Sequence, residues 1–404
     1  MSPQPGQLHP GRPDYALLAL TAILTITGLV AVYSASFVQA LVDFGNPEHF
    51  LIRQSIWAVL GAVLCALAIR TPFWQLQRWA VVIMLVTLVM LVLVLVLGTT
   101  VNGAKRWIGF GPFTVQPAEF AKLAVIIYIA AWLASRGETI RSWGQGFLPF
   151  VIIIAGVAVL IMLQPSLGTT LIICCVAGVM FWVAGATWSQ TLVLITAGVL
   201  AAGVLATVEG YRADRLTAFF DAESDPAGHG FQTLQAVVAM GNGGWSGLGL
   251  GASRGKFFYI PESHTDGVFA IIGEELGLIA TVAIVFLFMI LMFRGFQIAR
   301  RAPTDFATLV ATGITTWISV QMLLNVGGIT RTIPLTGVPL PFLSSGGSAL
   351  AAVMLAMGVL INISRYQQAR AQEPATEEAD RRSRRRKPAP APRRGFMTFP
   401  RRPW

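Results

Sequence analysis

The chain has 404 residues, 55% of them hydrophobic and only 12% charged, about half the charged share of an ordinary soluble domain. Apolar runs near membrane-spanning length recur throughout, which excludes a soluble globular fold and predicts a polytopic membrane protein. The net charge of +10 is mostly local, because residues 365–404 carry twelve Lys/Arg against four Asp/Glu and so supply +8 of it.

Residues 1–14 are polar and Pro-rich, and the first apolar run is long enough to span, so no cleavable signal is apparent. Ten spans are expected, at roughly 15–36, 54–70, 79–98, 118–134, 147–163, 167–184, 190–208, 266–293, 305–329 and 346–364. The predicted fold is therefore all-α, with ten transmembrane helices and a large extracytoplasmic loop over 209–265, between helices 7 and 8. Three parts follow: a cytoplasmic segment 1–14, a membrane domain 15–365 and a disordered basic tail 366–404. Arg70, Arg78, Arg136, Arg141, Arg294, Arg300, Arg301 and the tail share one side, which the positive-inside rule makes cytoplasmic, together with both termini. The tail suits anionic lipid headgroups. No aromatic-interleaved fold accompanies it, so nucleic acid is not expected as a partner. Cys65, Cys174 and Cys175 lie in apolar runs and predict no disulfide framework.

In chain order, Val32-Tyr33-Ser34-Ala35-Ser36 reads by itself as small-residue helix packing. Asn102-Gly103-Ala104-Lys105-Arg106-Trp107 then offers two cations on Gly-containing turns, suited to phosphate. Glu119 and Lys122 are i, i+3 on the next helix and can pair there, either as a structural ion pair or at an anionic headgroup. Gln164-Pro165-Ser166-Leu167-Gly168-Thr169 reads as a tight turn. In the long loop, Arg212 and Arg215 could clamp a diphosphate or form a solvated face. The glycine run 241–251 lacks the Gly-Lys-Ser/Thr ending of a phosphate-binding loop.

Ser263-His264-Thr265-Asp266 places an imidazole, hydroxyls and a carboxylate at the mouth of the eighth span. A helix cap explains Asp266 alone. It leaves Glu274 and Glu275 inside the same apolar segment, where ionisable groups are functional hypotheses by default. Glu274 falls about two turns after Asp266, roughly 12 Å deeper, so the two could line one cleft or share a divalent cation. Gln321 and Asn325, at i, i+4, form an expected interhelical hydrogen-bonding pair. The stiff outer loop from Pro334 to Ser348 follows.

Taken together, Tyr-Ser-Ala-Ser, Arg-Trp-Ile with Gln-Pro-Ala-Glu-Phe-Ala-Lys, Gln-Pro-x-Leu-Gly-Thr, Pro-Glu-Ser-His-Thr-Asp and Pro-Leu-Pro-Phe-x-Ser-x-Gly-Gly-Ser occur in one order. They resemble the SEDS proteins (shape, elongation, division and sporulation; the FtsW/RodA type) over about residues 15–365. Val-Tyr-Ser-Ala-Ser, the closing Gly-Gly-Ser and the basic tail lean toward the division branch. The resemblance implies a peptidoglycan glycosyltransferase that polymerises lipid II, an undecaprenyl-diphosphate-linked disaccharide peptide, at the outer face of the cytoplasmic membrane. It implies a class B penicillin-binding protein as partner, with other division or elongation membrane proteins. It makes Asp266 the catalytic aspartate, here read as the general base, and carries the family's charged pair onto Glu119 and Lys122 and its Arg-Trp arginine onto Arg106. With the readings of the residues themselves, substrate contacts are expected at Lys105, Arg106, Glu119, Lys122, Arg212, Arg215, His264, Thr265, Ser344 and Ser348. A Mg²⁺ or Mn²⁺ ion is expected with no nucleotide, Asp266 and Glu274 being candidate ligands. Ser166 stands where the family usually has an acid and Ser345 where it has Tyr; Arg331-Thr332 also departs from the common pattern. A lipid II flippase and a non-catalytic scaffold of the division machinery remain the alternatives.

Overall fold

Asp14 starts the first helix, α1 (Tyr15–Phe44). Its carboxylate accepts from the Ala16 and Leu17 N–H groups at 2.9 and 3.1 Å, and Gly45 closes the helix in the left-handed region. In this computed structural model residues 10–101, 104–110, 113–208, 219–220, 229–260 and 263–366 are described. The chain continues through α2 (His49–Arg70) and α3 (Phe73–Leu97) to strands β1 (Thr99–Val101), β2 (Ala104–Phe110) and β3 (Phe113–Val115). Next come α4 (Pro117–Arg136), a π-helical turn at Trp143–Phe147, α5 (Leu148–Met162), α6 (Leu167–Val183) and α7 (Trp188–Val208). The last elements are α8 (His229–Gly243), a second π-helical turn at Gly255–Tyr259, α9 (Val268–Arg301), α10 (Asp305–Ile329) and α11 (Gly347–Ser364).

All ten expected apolar segments are helical. Among the described residues, eight helices are long and apolar enough to cross a membrane. The other two apolar helices, α6 and the Trp188–Val204 part of α7, are shorter. Several helices outrun the apolar stretches that predicted them: α1 continues to Phe44, α9 reaches Arg301, and α2 and α3 begin at His49 and Phe73. Hydropathy marks the apolar stretch, whereas hydrogen bonding continues until a residue such as Gly45 stops it.

Two elements were not expected. The connection 99–115 is a three-stranded antiparallel sheet in the order β1-β2-β3, with Thr100 opposite Lys105 and Ile108 opposite Val115. Lys105 and Arg106 therefore lie on a strand rather than on a Gly-containing turn. Asn102-Gly103 between β-prone residues was the available hairpin signal. Within 209–265, α8 packs along α9.

The interior is formed by α10 and α11, whose most apolar windows are 78% and 83% buried, against 22% for α3. α11 packs along α2, and α10 against α9, α4 and α6. α3 and α7 leave large side chains such as Leu85, Val89, Ile195 and Val199 exposed, as lipid-facing helices do. The chain is a multi-pass membrane protein.

α9 is broken at Gly277, which adopts φ 75° and ψ −172° between two helical pieces. The break is filled by the segment after α8. Leu278 and Ile279 donate to the Gly244 and Trp245 carbonyls at 2.9 and 3.2 Å, while Leu248 and Gly249 donate to the Glu274 and Glu275 carbonyls at 3.0 and 2.9 Å. These bonds replace those the helix loses, as buried backbone requires. A β-carbon at Gly277 would meet the Trp245 carbonyl oxygen at 2.6 Å, in a backbone region that only glycine occupies readily. Gly277→Ala is therefore expected to destabilise the protein by more than about 1–3 kcal/mol, read as a lowered melting temperature in detergent. An unchanged melting temperature would show that this break is not held as described.

Candidate active site

The Ser263–Gly267 turn leads into α9, whose cap residue is Gly267 with no side-chain capping hydrogen bond. The N-cap position therefore belongs to Gly267 rather than to Thr265 or Asp266. Asp266 is half-buried, and its carboxylate Oδ1 lies 3.4 Å from the Thr265 hydroxyl. His264 is buried with its ring centroid 4.5 Å from that of Phe50. The turn is pinned on three sides. Ser263 Oγ donates to the Ala35 carbonyl at 3.2 Å, Ser345 N–H to the His264 carbonyl at 2.8 Å, and Asn325 Nδ2 to the Asp266 carbonyl at 3.0 Å.

Asp266, Thr265 and His264 face a cleft of about 510 Å³. Its other walls bring together most of the distinctive motifs. Arg106 comes from β2, Glu119 from the start of α4, Ser166 from the α5–α6 turn with Leu167 to Thr169 from the start of α6, and Gly346-Gly347 from the start of α11. Arg106 Nε donates to the Gln164 carbonyl at 2.8 Å, and its Nη2 donates to that of Pro165, so one guanidinium both lines the cleft and holds the Gln-Pro turn. Ser166, at the family's acid position, donates to Thr169 Oγ1 at 2.9 Å.

Other expected site residues lie outside the cleft lining. Lys105 is exposed on β2. Lys122 is buried behind Glu119, 2.8 Å from its carboxylate and 2.9 Å from Gln321 Oε1, with the Trp317 ring 4.8 Å away. Ser344 Oγ accepts from Leu340 N–H at 2.7 Å and Ser348 Oγ from Gln116 N–H at 3.2 Å, so both hydroxyls brace backbone. Arg212 and Arg215 fall outside the described residues.

Glu274 does not share the cleft with Asp266. Asp266 precedes the helix in a turn, so helical spacing does not align the two. Glu274 accepts from Ser253 Oγ at 2.5 Å and from the Arg254 and Gly255 N–H groups at 3.2 and 3.1 Å. Glu275 accepts from Ser34 Oγ at 2.5 Å and from Lys256 Nζ at 2.9 Å. These two acids clamp the glycine-rich loop onto α9 and α1. Among the described residues no group of three or more His, Cys, Asp or Glu side chains could hold a metal ion.

Sequence reasoning missed Arg53 and Gln54, which line the cleft from α2. Arg53 Nη2 donates to Thr114 Oγ1 at 2.5 Å, while Gln54 donates to the Ser344 carbonyl at 3.2 Å and accepts from Gly346 N–H at 3.3 Å. The available signal was an Arg-Gln step beside an apolar run. The expected span began at 54 and so put Arg53 just outside it.

Removing one partner of a buried ion pair strands the other charge at a cost of about 3–5 kcal/mol. Glu119→Gln and Lys122→Met should each lower the melting temperature, and the double variant should be less destabilised than their sum. Strict additivity in that cycle would rule out the coupling.

The family model of the FtsW/RodA/SpoVE cell cycle proteins matches residues 15–369. Stage V sporulation protein E of Bacillus subtilis is 41% identical over 356 residues, covering 88% of this chain and 97% of its own length. A probable peptidoglycan glycosyltransferase FtsW of Trichlorobacter lovleyi is 38% identical, covering 87% and 93%. Among solved structures, a chain from a study of how a peptidoglycan synthase complex coordinates polymerization and crosslinking superposes with a TM-score of 0.74 at 29% identity, over 88% of this chain and 98% of that one. The rod shape determining protein RodA of Thermus thermophilus gives 0.66 at 27%, with the same coverage. Motifs, fold and relatives agree: the chain belongs to the FtsW/RodA/SpoVE family.

Proposed function

We propose that this chain is a peptidoglycan glycosyltransferase that polymerises lipid II, with Asp266 as general base. The observation that carries the reading is a single cleft uniting the half-buried Asp266 with the guanidinium groups of Arg53 and Arg106. That pairing fits a reaction in which a hydroxyl must lose a proton while a diphosphate leaves. Asp266 takes the proton from the acceptor sugar's 4-hydroxyl as its oxygen bonds to the donor's anomeric carbon. The donor's bond to the lipid diphosphate breaks, and the linkage inverts. Such a base typically contributes ~10²–10⁴-fold. Arg53 and Arg106 face the leaving diphosphate, where fixed cations stabilise developing charge. The diphosphate is already activated, so no nucleotide enters.

The donor set in the cleft fits a divalent cation of the kind that binds through one or two carboxylates and substrate phosphates. Asp266 with the diphosphate oxygens would hold Mg²⁺ or Mn²⁺, whose contribution is neutralisation of phosphate charge. In this reading the ten apolar helices all cross the bilayer and both termini are cytoplasmic, as the arginine distribution supports. The cleft then opens at the extracytoplasmic face, where lipid-linked sugars are presented. The solved complex of polymerization and crosslinking supports a class B penicillin-binding protein as partner, and the basic tail supports contact with anionic lipid. The leaning of the motifs toward the division branch supports septal wall synthesis.

The test is purified protein with its cognate class B partner, fluorescent lipid II and Mg²⁺ or Mn²⁺, with products resolved on a gel. Wild type should yield a ladder of glycan strands, and Asp266→Asn none, with folding and partner binding preserved. A normal ladder from Asp266→Asn would exclude Asp266 as the base. No ladder from well-folded, paired wild type would return the weight to lipid transport, measured next by transbilayer movement of lipid II in vesicles.

A further inference from the structure

Trp317, Gln321 and Asn325 stand at four-residue intervals on one face of α10, all buried. Trp317 Nε1 donates to Gln321 Oε1 at 2.7 Å, while the amides of Gln321 and Asn325 reach the irregular segments around the cleft. Asn325, 2% exposed, donates both amide hydrogens, to the Asp266 carbonyl at 3.0 Å and to the Val338 carbonyl at 2.9 Å. Both partners can only accept, so the amide nitrogen and not its oxygen faces them.

We propose that Asn325 is a positioning residue that sets the geometry of Asp266, an inference that rests on the proposed transferase reading. Asp266 precedes both the N-cap Gly267 and the first helical residue of α9, so helical backbone geometry does not extend to its peptide. The turn that carries it is suspended instead between α10 and the Pro-rich segment. Asn325 binds the Asp266 and Val338 carbonyls together, and Ser345 N–H holds the His264 carbonyl from the same segment. One turn earlier on α10, Gln321 donates to the Pro339 carbonyl at 2.8 Å and accepts from Lys122. Lys122 in turn holds Glu119, which lines the cleft. One polar ridge of α10 thus sets the spacing of the two carboxylates that line the cleft. Displacement of a reacting group by about 1 Å can cost ~10²-fold in rate.

The experiment compares wild type, Asp266→Asn and Asn325→Ala, each with the class B partner, over a range of lipid II concentration and pH. Melting temperature and partner binding are measured alongside. For Asn325→Ala we expect kcat to fall about 10- to 100-fold with KM for lipid II within about twofold. The acid limb of the pH–rate profile, which reports the base, should move by about half a pH unit or more. A role confined to stability would lower the melting temperature or the active fraction and leave that limb in place. Should the alanine variant not fold, Asn325→Ser, which keeps a donor for one carbonyl, is read in the same way. An unchanged kcat, or a rate loss that follows the folded fraction with an unmoved pH profile, overturns the inference while wild-type polymerisation leaves the transferase reading intact. No polymer from wild type overturns that reading itself.

Discussion

Irregular backbone inside a membrane domain persists only where protein groups satisfy its hydrogen bonds, and this requirement organises the chain. Three such segments meet in the bundle: the glycine-rich loop after α8, the turn that carries Asp266, and the Pro-rich stretch before α11. Each is held by polar side chains from otherwise apolar helices. Glu274 binds the Arg254 and Gly255 N–H groups. Gln54 binds both Ser344 and Gly346, while Gln321 and Asn325 bind the carbonyls of Pro339, Val338 and Asp266. The cleft is the space these segments leave between them, so its shape is inherited from the helices beneath.

The same constraint separates acids that look alike in the sequence. Glu275 and Lys256 form a 2.9 Å ion pair with almost no exposure. Ser34 and the Ser253 N–H satisfy further positions on that carboxylate. A buried pair needs this added hydrogen bonding to offset desolvation, and the arrangement leaves it as scaffold. Asp266 differs in surroundings, not in kind. It stands in a turn, half-buried, at the edge of a cleft that also presents Arg53 and Arg106. Glu119 combines both situations, lining the cleft while tied to Lys122.

The order of residues alone carries the membrane class, the ten apolar helical segments and a set of ordered motifs, because hydrophobic length and local spacing are one-dimensional properties. It also put Arg106, Glu119, His264, Thr265 and Asp266 in one set, and these do line one cleft. It could not tell that Lys122 reaches Gln321 as well as Glu119, that Ser344 and Ser348 turn inward to brace backbone, or that Arg53 faces the cleft. Those roles depend on which helix lies opposite. It likewise missed the three-stranded sheet, whose strands of three to seven residues carry weak periodicity. Tertiary structure alone decided that Glu274 and Asp266 part company, because Asp266 sits in a turn before α9 begins, and helical periodicity does not extend across that boundary.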